Sequence, residues 1–370
     1  MPNESLFIGL ISGTSLDGID AVLVDLSEPI PQLLCSQHTP YAPSLLDRLR
    51  VLCQPGNNEI DSLGGLDRQV AFAFVDAVQS LLSKAGISAN DITAIGSHGQ
   101  TIRHRPTVEH PFTLQIGDPN TLSELTGITT VGDFRRRDMA AGGEGAPLVP
   151  AFHQAVLQSP HQPRVVLNLG GIANITCLPQ AGTDLIKGYD TGPANTLLDG
   201  WIAGHQSARF DKNGGWAKAG NSIEALLLNL LNDPYFSLAP PKSTGTEYFN
   251  LSWLNSHLPE TPFEPIDVQN TLVELTAITV ANAIEREGFS TADTLVCGGG
   301  VHNHYLMDRL QHHLPKGKMR STAELELDPD WVEAMAFAWL AKRTLSGLPG
   351  NLPSVTGARK AVKLGAIYPA

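Results

Sequence analysis

The stretch that decides the fold is residues 6–26, LFIGLISGTSLDGIDAVLVDL. Leu6–Leu10 is apolar and predicts a strand, and the apolar, branched run Ile19–Leu26 predicts a second one. The loop Ser12–Gly18 between them contains two glycines and several short polar residues. We therefore predict a glycine-looped β-hairpin at the start of the chain.

This loop has the groups that a nucleotide phosphate needs. Glycines let backbone N–H groups approach a phosphate because no Cβ stands in the way, and Thr14 and Ser15 add hydroxyl donors. Asp17 and Asp20 could hold Mg²⁺ through water, because Mg²⁺ prefers one or two carboxylates plus waters. The alternative is an ordinary turn in which Ser and Asp side chains cap the backbone.

The same order of elements occurs twice along the chain. After the first hairpin come a helix with apolar spacing over Leu66–Lys84, a stop at Gly86, and a strand over Ile92–Ile95 that ends in Gly96–Thr101. The corresponding pieces of the second half are Val165–Leu169, Gly170-Gly171, Ala173–Leu178, a helix through Val268–Ile284, Thr294–Cys297 and Gly298-Gly299-Gly300. We expect two related α/β units with a cleft between them, assigned as residues 1–131 plus 346–370 and residues 132–345.

Composition excludes several classes of protein. The 370 residues include 25 Lys and Arg against 37 Asp and Glu, a net charge of −12, so the chain is not built to coat nucleic acid or an anionic membrane. The four cysteines have no metal-ligand spacing and fit a reducing compartment. The N-terminus has no basic region before its apolar stretch, and no apolar window reaches membrane-spanning length. We expect a cytoplasmic protein.

Asp190 is the candidate general base. It follows the predicted strand Ile186–Tyr189 and precedes a helix through Asn195–Trp201, which places its carboxylate where open α/β sheets bind ligands. The alternative is a helix N-cap, since Asp and Thr before Pro193 are start signals. An aspartic protease needs two Asp-Thr-Gly triplets, and this chain has one.

Two glycine turns of the second half are candidate nucleotide contacts. Gly170 and Gly171 join two strands, as in many hairpins. Gly298, Gly299 and Gly300 end a strand and precede a predicted helix, and a helix N-terminus behind a glycine turn is a natural anion site. A tight strand–helix connection is the alternative reading of the three glycines.

Further polar side chains are candidates for binding a polar substrate. His98, Gln100 and Thr101 stand together, and His104 lies close enough in sequence to leave a metal-site alternative open. Arg137 belongs to the run Arg135–Arg137, whose guanidinium groups suit carboxylate or phosphate, with a solvated loop as the alternative.

Glu333 has two readings as well. It forms a capping-box pattern with Asp330 at the start of the last helix, and its carboxylate could also bind sugar hydroxyls.

Taken together, these motifs closely resemble those of the anhydro-N-acetylmuramic acid kinase family over essentially the whole chain. The matching segments are residues 9–20, 96–101, 133–138, 190–193, 241–245, 297–300, 335–340 and 365–370. The resemblance implies the two-domain ribonuclease-H-like fold of actin, sugar kinases and heat-shock ATPases, with a central nucleotide cleft. It also implies conversion of 1,6-anhydro-N-acetylmuramic acid, ATP and water to N-acetylmuramic acid 6-phosphate and ADP in cell-wall recycling, usually by a dimer.

The resemblance also implies roles for particular residues. The family's ATP-binding loop maps onto Gly13, Thr14, Ser15, Leu16, Asp17, Gly18, Ile19 and Asp20. Its catalytic aspartate maps onto Asp190 and a sugar-contacting glutamate onto Glu333. Many sugar kinases carry an aspartate in the first strand, where this chain has Gly9-Leu10-Ile11-Ser12. We expect Asp17 of the loop to hold Mg²⁺ through water.

Three other functions stay open on sequence alone. A sugar kinase on the same fold could phosphorylate an open sugar without hydrolysis, and an actin-like protein could bind nucleotide without catalysis. A metal-dependent enzyme could use His98 and His104.

Overall fold

A computed structural model describes residues 5–13 and 15–370 of the chain. The chain divides into two compact units, one formed by the residues up to Val156 with Trp331–Ala370 and the other by Leu157–Asp330. These boundaries differ from the predicted ones, 1–131 plus 346–370 and 132–345. The difference arises because a short strand at Thr130–Gly132 and a helix at Val332–Leu345 both pack within the first unit.

The elements follow one another along the chain in three segments. The first segment contains β1 (Leu6–Ser12), β2 (Ile19–Asp25), β3 (Gln32–Thr39), α1 (Pro43–Leu52), α2 (Glu59–Ala85), β4 (Ala94–Arg105), β5 (Phe112–Ile116), α3 (Pro119–Thr126), β6 (Thr130–Gly132), α4 (Phe134–Ala140) and α5 (Val149–Leu157). The middle segment contains β7 (Arg164–Leu169), β8 (Ile172–Leu178), β9 (Lys187–Pro193), α6 (Asn195–Gln206), α7 (Gly215–Lys218), α8 (Glu224–Leu231), α9 (Pro234–Ser237), α10 (Leu251–His257), α11 (Pro265–Arg286), β10 (Asp293–Cys297), α12 (His304–His313) and β11 (Met319–Ser321). The last segment contains α13 (Val332–Leu345), α14 (Pro353–Thr356) and β12 (Ala366–Tyr368).

Each unit has one mixed sheet, and the two sheets share a topology. The first has the order β12-β6-β4-β1-β2-β3, with β5 pairing β4, and the second has the order β11-β10-β7-β8-β9. In both, the unit's first strand and the next two form an antiparallel meander, and two strands parallel to the first strand lie on its other side. This is the ribonuclease-H-like arrangement, so the predicted α/β fold class is confirmed for both units.

The long helices follow the predicted apolar spacing. α2 contains the predicted Leu66–Lys84 and begins earlier, at Glu59. It ends where Gly86 adopts a left-handed conformation (φ 67°) and its N–H bonds back to the carbonyls of Leu82 and Ser83. α11 likewise contains the predicted apolar face, and each of the two long helices packs into its own unit's apolar core.

The prediction for β4 was wrong. The strand was expected to end at Ile95 and to lead into a loop over Gly96–Thr101, but it continues to Arg105. Its polar part pairs with β1 on one side, where Ser12 faces Gln100, and with β5 on the other. The polar sequence predicted a loop because strand pairing on both sides is a tertiary effect that local composition does not show.

The last long helix, α13, lies directly on the backbone of the first sheet. A Cβ at Gly9 of β1 would overlap the carbonyl oxygen of Ala334, and one at Gly96 of β4 would overlap that of Phe337. The small residues Ala334 and Ala338 on the helix are fully or nearly fully buried. The small residues of this helix therefore allow its backbone to pack closely on the sheet.

None of the helices within residues 5–13 and 15–370 combines the length and apolar character that crossing a bilayer requires.

The packing of α13 predicts that alanine at Gly96 destabilises the first unit. A Cβ there has no space, so the helix must move off the sheet, and such overpacking typically costs about 1–3 kcal/mol. The matched control is Gly64→Ala in α2, where a Cβ meets nothing within 4 Å and alanine is the better helix former. Calorimetric unfolding should show a lower midpoint for Gly96→Ala alone. A Gly96→Ala protein as stable as wild type would contradict the packing described.

Candidate active site

The loop between β1 and β2 is anchored by its apolar residues. Leu16 has a left-handed backbone (φ 58°) and a buried side chain, and its N–H donates to the Gly13 carbonyl at 3.2 Å. Ile19 is buried at the start of β2, and a Cβ at Gly18 would collide with the Thr39 carbonyl and the His38 ring. Leu16 and Ile19, predicted as nucleotide contacts, therefore place their side chains in the core. The predicted contact Thr14 lies outside the described residues.

Two buried polar side chains close the same loop. Ser12 Oγ donates to the Gly18 carbonyl at 2.7 Å and lies 2.5 Å from Gln100 Oε1. Gln100 Nε2 donates to the carbonyls of Gly13 (3.2 Å) and Thr101 (3.1 Å). Gln100 is fully buried, so its side chain holds the loop, although the sequence singled it out for substrate binding. Sequence reasoning missed Ser12, whose one signal was a polar residue at the end of a buried strand.

The loop acids are exposed to different degrees. Asp17 is exposed and accepts a hydrogen bond from Ser15 Oγ at 2.8 Å. Asp20 lies in β2, with Oδ1 2.7 Å from His38 Nδ1. The described residues contain no group of three or more His, Cys, Asp and Glu side chains arranged to hold a metal ion. An exposed carboxylate beside loop amides fits the water-mediated Mg²⁺ predicted at Asp17.

His98 is buried and holds an arginine. Its Nε2 accepts a hydrogen bond from Arg135 Nε at 3.0 Å, so Nδ1 carries the proton and donates to the Gly99 carbonyl at 3.0 Å. Burial and the Arg135 charge keep the pKa of His98 well below its usual range, so the ring is neutral. Both ring nitrogens are engaged within the protein.

His104 and Thr101 also bond within the first unit. His104 Nδ1 lies 3.1 Å from Thr113 Oγ1, and burial, with the charges of Arg135 and Arg105, lowers its pKa to about 4. Thr101 Oγ1 accepts a hydrogen bond from Gln115 Nε2 at 3.1 Å.

The arginine run lies in the helix α4, so the loop part of the solvated-loop alternative was wrong, although two of its three arginines, Arg136 and Arg137, are exposed to solvent. Arg135 turns inward and donates from Nη1 to the Gly145 carbonyl at 2.8 Å. Burial lowers its pKa to about 10, and the negative charges of Glu333 and Asp138 oppose that shift. Arg136 is exposed and pairs with Asp133 at 3.4 Å. Arg137, the predicted substrate contact, is exposed.

A buried carboxylate that the sequence did not single out supports this helix. Asp138 Oδ1 accepts hydrogen bonds from Asn351 Nδ2 (2.6 Å) and Thr356 Oγ1 (2.8 Å), and Oδ2 accepts one from the Gly145 N–H at 2.9 Å. Its side chain is fully buried. Because Asn351 and Thr356 lie more than 200 positions along the chain, no local signal could have found this network.

Glu333 is exposed in the first turn of α13. The capping box with Asp330 does not form, because Trp331 is the N-cap and no side chain caps the helix. Asp330 instead lies 2.9 Å from His302 Nε2. The capping alternative for Glu333 was therefore wrong, and its ligand role stays a prediction.

Asp190 lies within β9, which extends past the predicted end to Pro193. Its Oδ2 accepts a hydrogen bond from the Thr244 N–H at 3.0 Å, and its N–H donates to the Lys242 carbonyl at 3.4 Å. Its own carbonyl accepts from Tyr235 Oη at 2.7 Å. The helix-cap alternative was wrong, because Ala194 is the N-cap of α6. The segment Lys242–Thr244, whose role the sequence left open, orients this carboxylate.

The turn at Gly170 and Gly171 caps α6 with its own carbonyls. The Gly170 carbonyl accepts from the Asn195 N–H, and the Gly171 carbonyl accepts from those of Ala194 and Thr196, at 3.0–3.1 Å. A Cβ at either glycine would meet only ordinary contacts, the nearest at 3.5 and 3.7 Å. Nothing among the described residues requires glycine at these two positions.

The three glycines after β10 differ from one another. Gly298 has a left-handed backbone (φ 80°), and a Cβ there would overlap the Asn168 side chain. A Cβ at Gly300 would press on Leu169, whereas one at Gly299 would meet nothing within 4 Å. The tight-connection alternative therefore explains Gly298 and Gly300, and Gly299 remains open to a ligand. The regular helix α12 begins at His304, after a 3₁₀ turn over Gly299–His302.

Solved structures with a similar chain course are remote in sequence. An activator of 2-hydroxyisocaproyl-CoA dehydratase from Clostridium difficile with bound ADPNP has a TM-score of 0.47 and 12% identity, covering 92% of this chain and 96% of that one. A ROK family glucokinase from Streptomyces griseus in complex with glucose and AMPPNP has a TM-score of 0.42 and 13% identity, covering 90% and 98%.

Sequence relatives are much nearer. A protein named anhydro-N-acetylmuramic acid kinase from Xylella fastidiosa is 54% identical over 100% of this chain and 98% of its own length. One of the same name from Pasteurella multocida is 53% identical over 98% of this chain and 96% of its own length. Another from Shewanella pealeana is 50% identical over the full length of both chains. The model of the family described as anhydro-N-acetylmuramic acid kinase matches residues 5–370. The chain is therefore a kinase that belongs to the anhydro-N-acetylmuramic acid kinase family.

Proposed function

We propose that this kinase opens the 1,6-anhydro bond of 1,6-anhydro-N-acetylmuramic acid and phosphorylates O6 with ATP, giving N-acetylmuramic acid 6-phosphate and ADP. Family membership supports the substrate. The observation that carries the mechanism is the Asp190 carboxylate, whose Oδ2 is fixed by a main-chain N–H at 3.0 Å. A carboxylate held in one orientation on a strand is a suitable general base.

The proposed reaction balances as one hydrolysis coupled to one phosphoryl transfer. Asp190 takes a proton from a water molecule as the water oxygen bonds to the anomeric carbon, and the bond from that carbon to O6 breaks. O6 then bonds to the γ-phosphorus, and the bond from that phosphorus to the β,γ-bridging oxygen breaks to release ADP. Phosphoryl transfer depends mainly on positioning and electrostatics, so a fixed base and fixed loops are what the protein must supply.

The phosphates of ATP are proposed to contact backbone amides. The candidates that have open space around them or an exposed donor group are Gly13, Ser15, Gly170, Gly171 and Gly299. Mg²⁺, held through water by Asp17, would supply charge neutralisation on the phosphates. Gly18, Gly298 and Gly300 are proposed to shape the loops.

The sugar is proposed to contact the remaining polar candidates. Arg137 would bind its carboxylate, Glu333 its hydroxyls, and Thr101 a further polar atom, while His98 would hold Arg135 in place. Use of ATP and a cell-wall sugar fits a cytoplasmic enzyme of peptidoglycan recycling. A homodimer stays a prediction that light scattering can test.

An isotope experiment separates this reaction from ordinary sugar phosphorylation. In H₂¹⁸O, we expect the product to carry one ¹⁸O at C1 and none in the phosphate ester, because water attacks carbon and O6 attacks phosphorus. Mass spectrometry with fragmentation measures the position, and unlabelled product held in H₂¹⁸O for the same time corrects for exchange. Unlabelled C1, or turnover only with the open sugar, would overturn the proposal.

We predict that Asp190→Asn keeps the fold and ATP binding but loses turnover. A general base typically contributes about 10²–10⁴ in rate, so kcat should fall on that scale. ADP release with the anhydro sugar measures kcat, and calorimetry measures ATP binding. Asp184→Asn, an exposed aspartate just before β9, is the matched control and should behave as wild type. Near-normal turnover of Asp190→Asn would remove Asp190 from the mechanism.

We predict that Gly171→Ala weakens ATP use without destabilising the protein. Its Cβ would meet Thr196 and Thr246 at ordinary distances, yet it would stand where a phosphate is proposed to approach. The KM for ATP should rise about tenfold, equal to about 1.4 kcal/mol of binding. Gly204→Ala in α6 is the matched control for both the KM and thermal unfolding, because a Cβ at Gly204 meets nothing within 4 Å. An unchanged KM would exclude the turn from the nucleotide site.

We predict that Arg137→Ala raises the KM for the sugar, because a charge-assisted contact to its carboxylate is lost. The rise should be about tenfold, equal to about 1.4 kcal/mol and near the lower end for one net hydrogen bond to a charged group. Arg136→Ala, in the same helix and paired with Asp133, is the matched control. If Arg136→Ala raises the KM and Arg137→Ala does not, the contact has been assigned to the wrong arginine.

A further inference from the structure

Lys242 is a lysine whose ammonium group is packed against aromatic rings. Its Nζ donates to the Tyr235 carbonyl at 3.1 Å and lies 4.4 Å from the centre of the Tyr235 ring. The Tyr189 ring centre is 5.8 Å away. A cation over two aromatic faces is attracted by both rings. A lysine side chain that lacks such contacts extends its ammonium group into water. The side chain is therefore held in one place.

The residues that hold Lys242 are the ones that touch Asp190. Tyr235 donates from Oη to the Asp190 carbonyl at 2.7 Å, and Tyr189 precedes Asp190 in β9. The Lys242 carbonyl accepts the Asp190 N–H at 3.4 Å, and two residues further on Thr244 donates its N–H to Oδ2 at 3.0 Å. The segment 242–244 is thus fastened at one end by the ammonium group and contacts the carboxylate at the other.

The charges around Lys242 make its proton sensitive to pH near neutrality. Burial, and after it the charge of Arg286, lower the pKa of Lys242 to about 8, against the opposing effect of the Asp190 charge. Arg286 is itself occupied, because it donates to the carbonyls of Phe236 and Leu238 at 3.0 Å. Tyr189 and Tyr235, the other titratable groups facing Lys242, have pKa values raised by burial and stay neutral. Above pH 8 the ammonium therefore loses its charge.

We propose that Lys242 is a positioning residue for the Asp190 carboxylate: its ammonium group fastens the segment 242–244 to Tyr235 and so keeps the Thr244 N–H on Oδ2. As far as turnover is concerned, this inference rests on the proposed function. The hydrogen bond itself can be measured without any activity.

The first measurement is hydrogen–deuterium exchange of the Thr244 amide in the full chain. Lys242→Met keeps the length and apolar stem of the side chain but removes its charge and its donor, so exchange should be about tenfold faster, the scale of one net hydrogen bond. Lys242→Arg keeps the charge and should restore protection. Asp190→Ala, which removes the acceptor, sets the rate for complete loss. Lys316→Met, an exposed lysine in the same unit, is the matched control.

The second measurement is turnover as a function of pH. Lys242→Met should lower kcat about tenfold with little change in the KM for ATP, as one lost charged hydrogen bond would. The wild-type kcat should fall above pH 8, and Lys242→Arg should lack that fall because guanidinium stays charged. A purely structural lysine would not move this limb of the profile.

The outcomes separate the inference from the proposed function. Wild-type Thr244 exchange in folded Lys242→Met overturns the inference, whatever the turnover. If Thr244 exchanges faster in Lys242→Met and the wild-type protein shows no turnover, the positioning role is supported and the proposed function is overturned. If Lys242→Met does not fold, wild-type Thr244 protection measured through pH 8 decides the matter. After correction for the intrinsic rate, protection must fall there, and constant protection overturns the inference.

Discussion

The first unit depends on a helix that touches its sheet backbone to backbone. α13 meets β1 at Gly9 and β4 at Gly96 with no side chain between them. The same contact places the Phe337 ring 4.7 Å from the His98 ring, and His98 in turn holds Arg135. Glu333 enters at the first turn of this helix. The glycines of two strands thus allow the helix to approach the sheet, and this approach sets the positions of the polar side chains His98, Arg135 and Glu333.

The buried charged groups Asp138 and Arg135 of the first unit are stabilised by hydrogen bonds to uncharged partners. Asp138 is fully buried, yet its carboxylate accepts three hydrogen bonds. Neutral His98 accepts from Arg135, which avoids a second buried cation beside it. An unpaired buried charge would cost several kcal/mol, so these partners must remain together for the unit to fold. The network therefore fixes Arg135, while Arg136 and Arg137 remain at the surface.

Apolar periodicity predicted the helices and strands whose burial follows a simple pattern, such as α2, α11, β7 and β8. It failed for β4 because residues 96–101 are polar and still pair on both sides. It also ended the strand before Asp190, since the pairing of β9 with β8 is not encoded in local composition. The residue patterns singled out Asp190 and the glycine loops as candidates, and the family resemblance implied their roles. The partners Asn351, Thr356 and Thr244 needed the folded chain, because they reach their carboxylates from distant positions.

The Asp190 carboxylate is oriented by the path of the main chain as well as by side chains. One donor to its carboxylate is the N–H of Thr244, which any residue except proline could provide. Residue identity therefore matters most at the positions that fix the path of the main chain. Lys242 and Tyr235 satisfy it, because the ammonium group of one lies on the ring and carbonyl of the other. The residue types of the motif around a general base can thus be required because they fix the path of the main chain, even where these residues do not touch the reacting atoms.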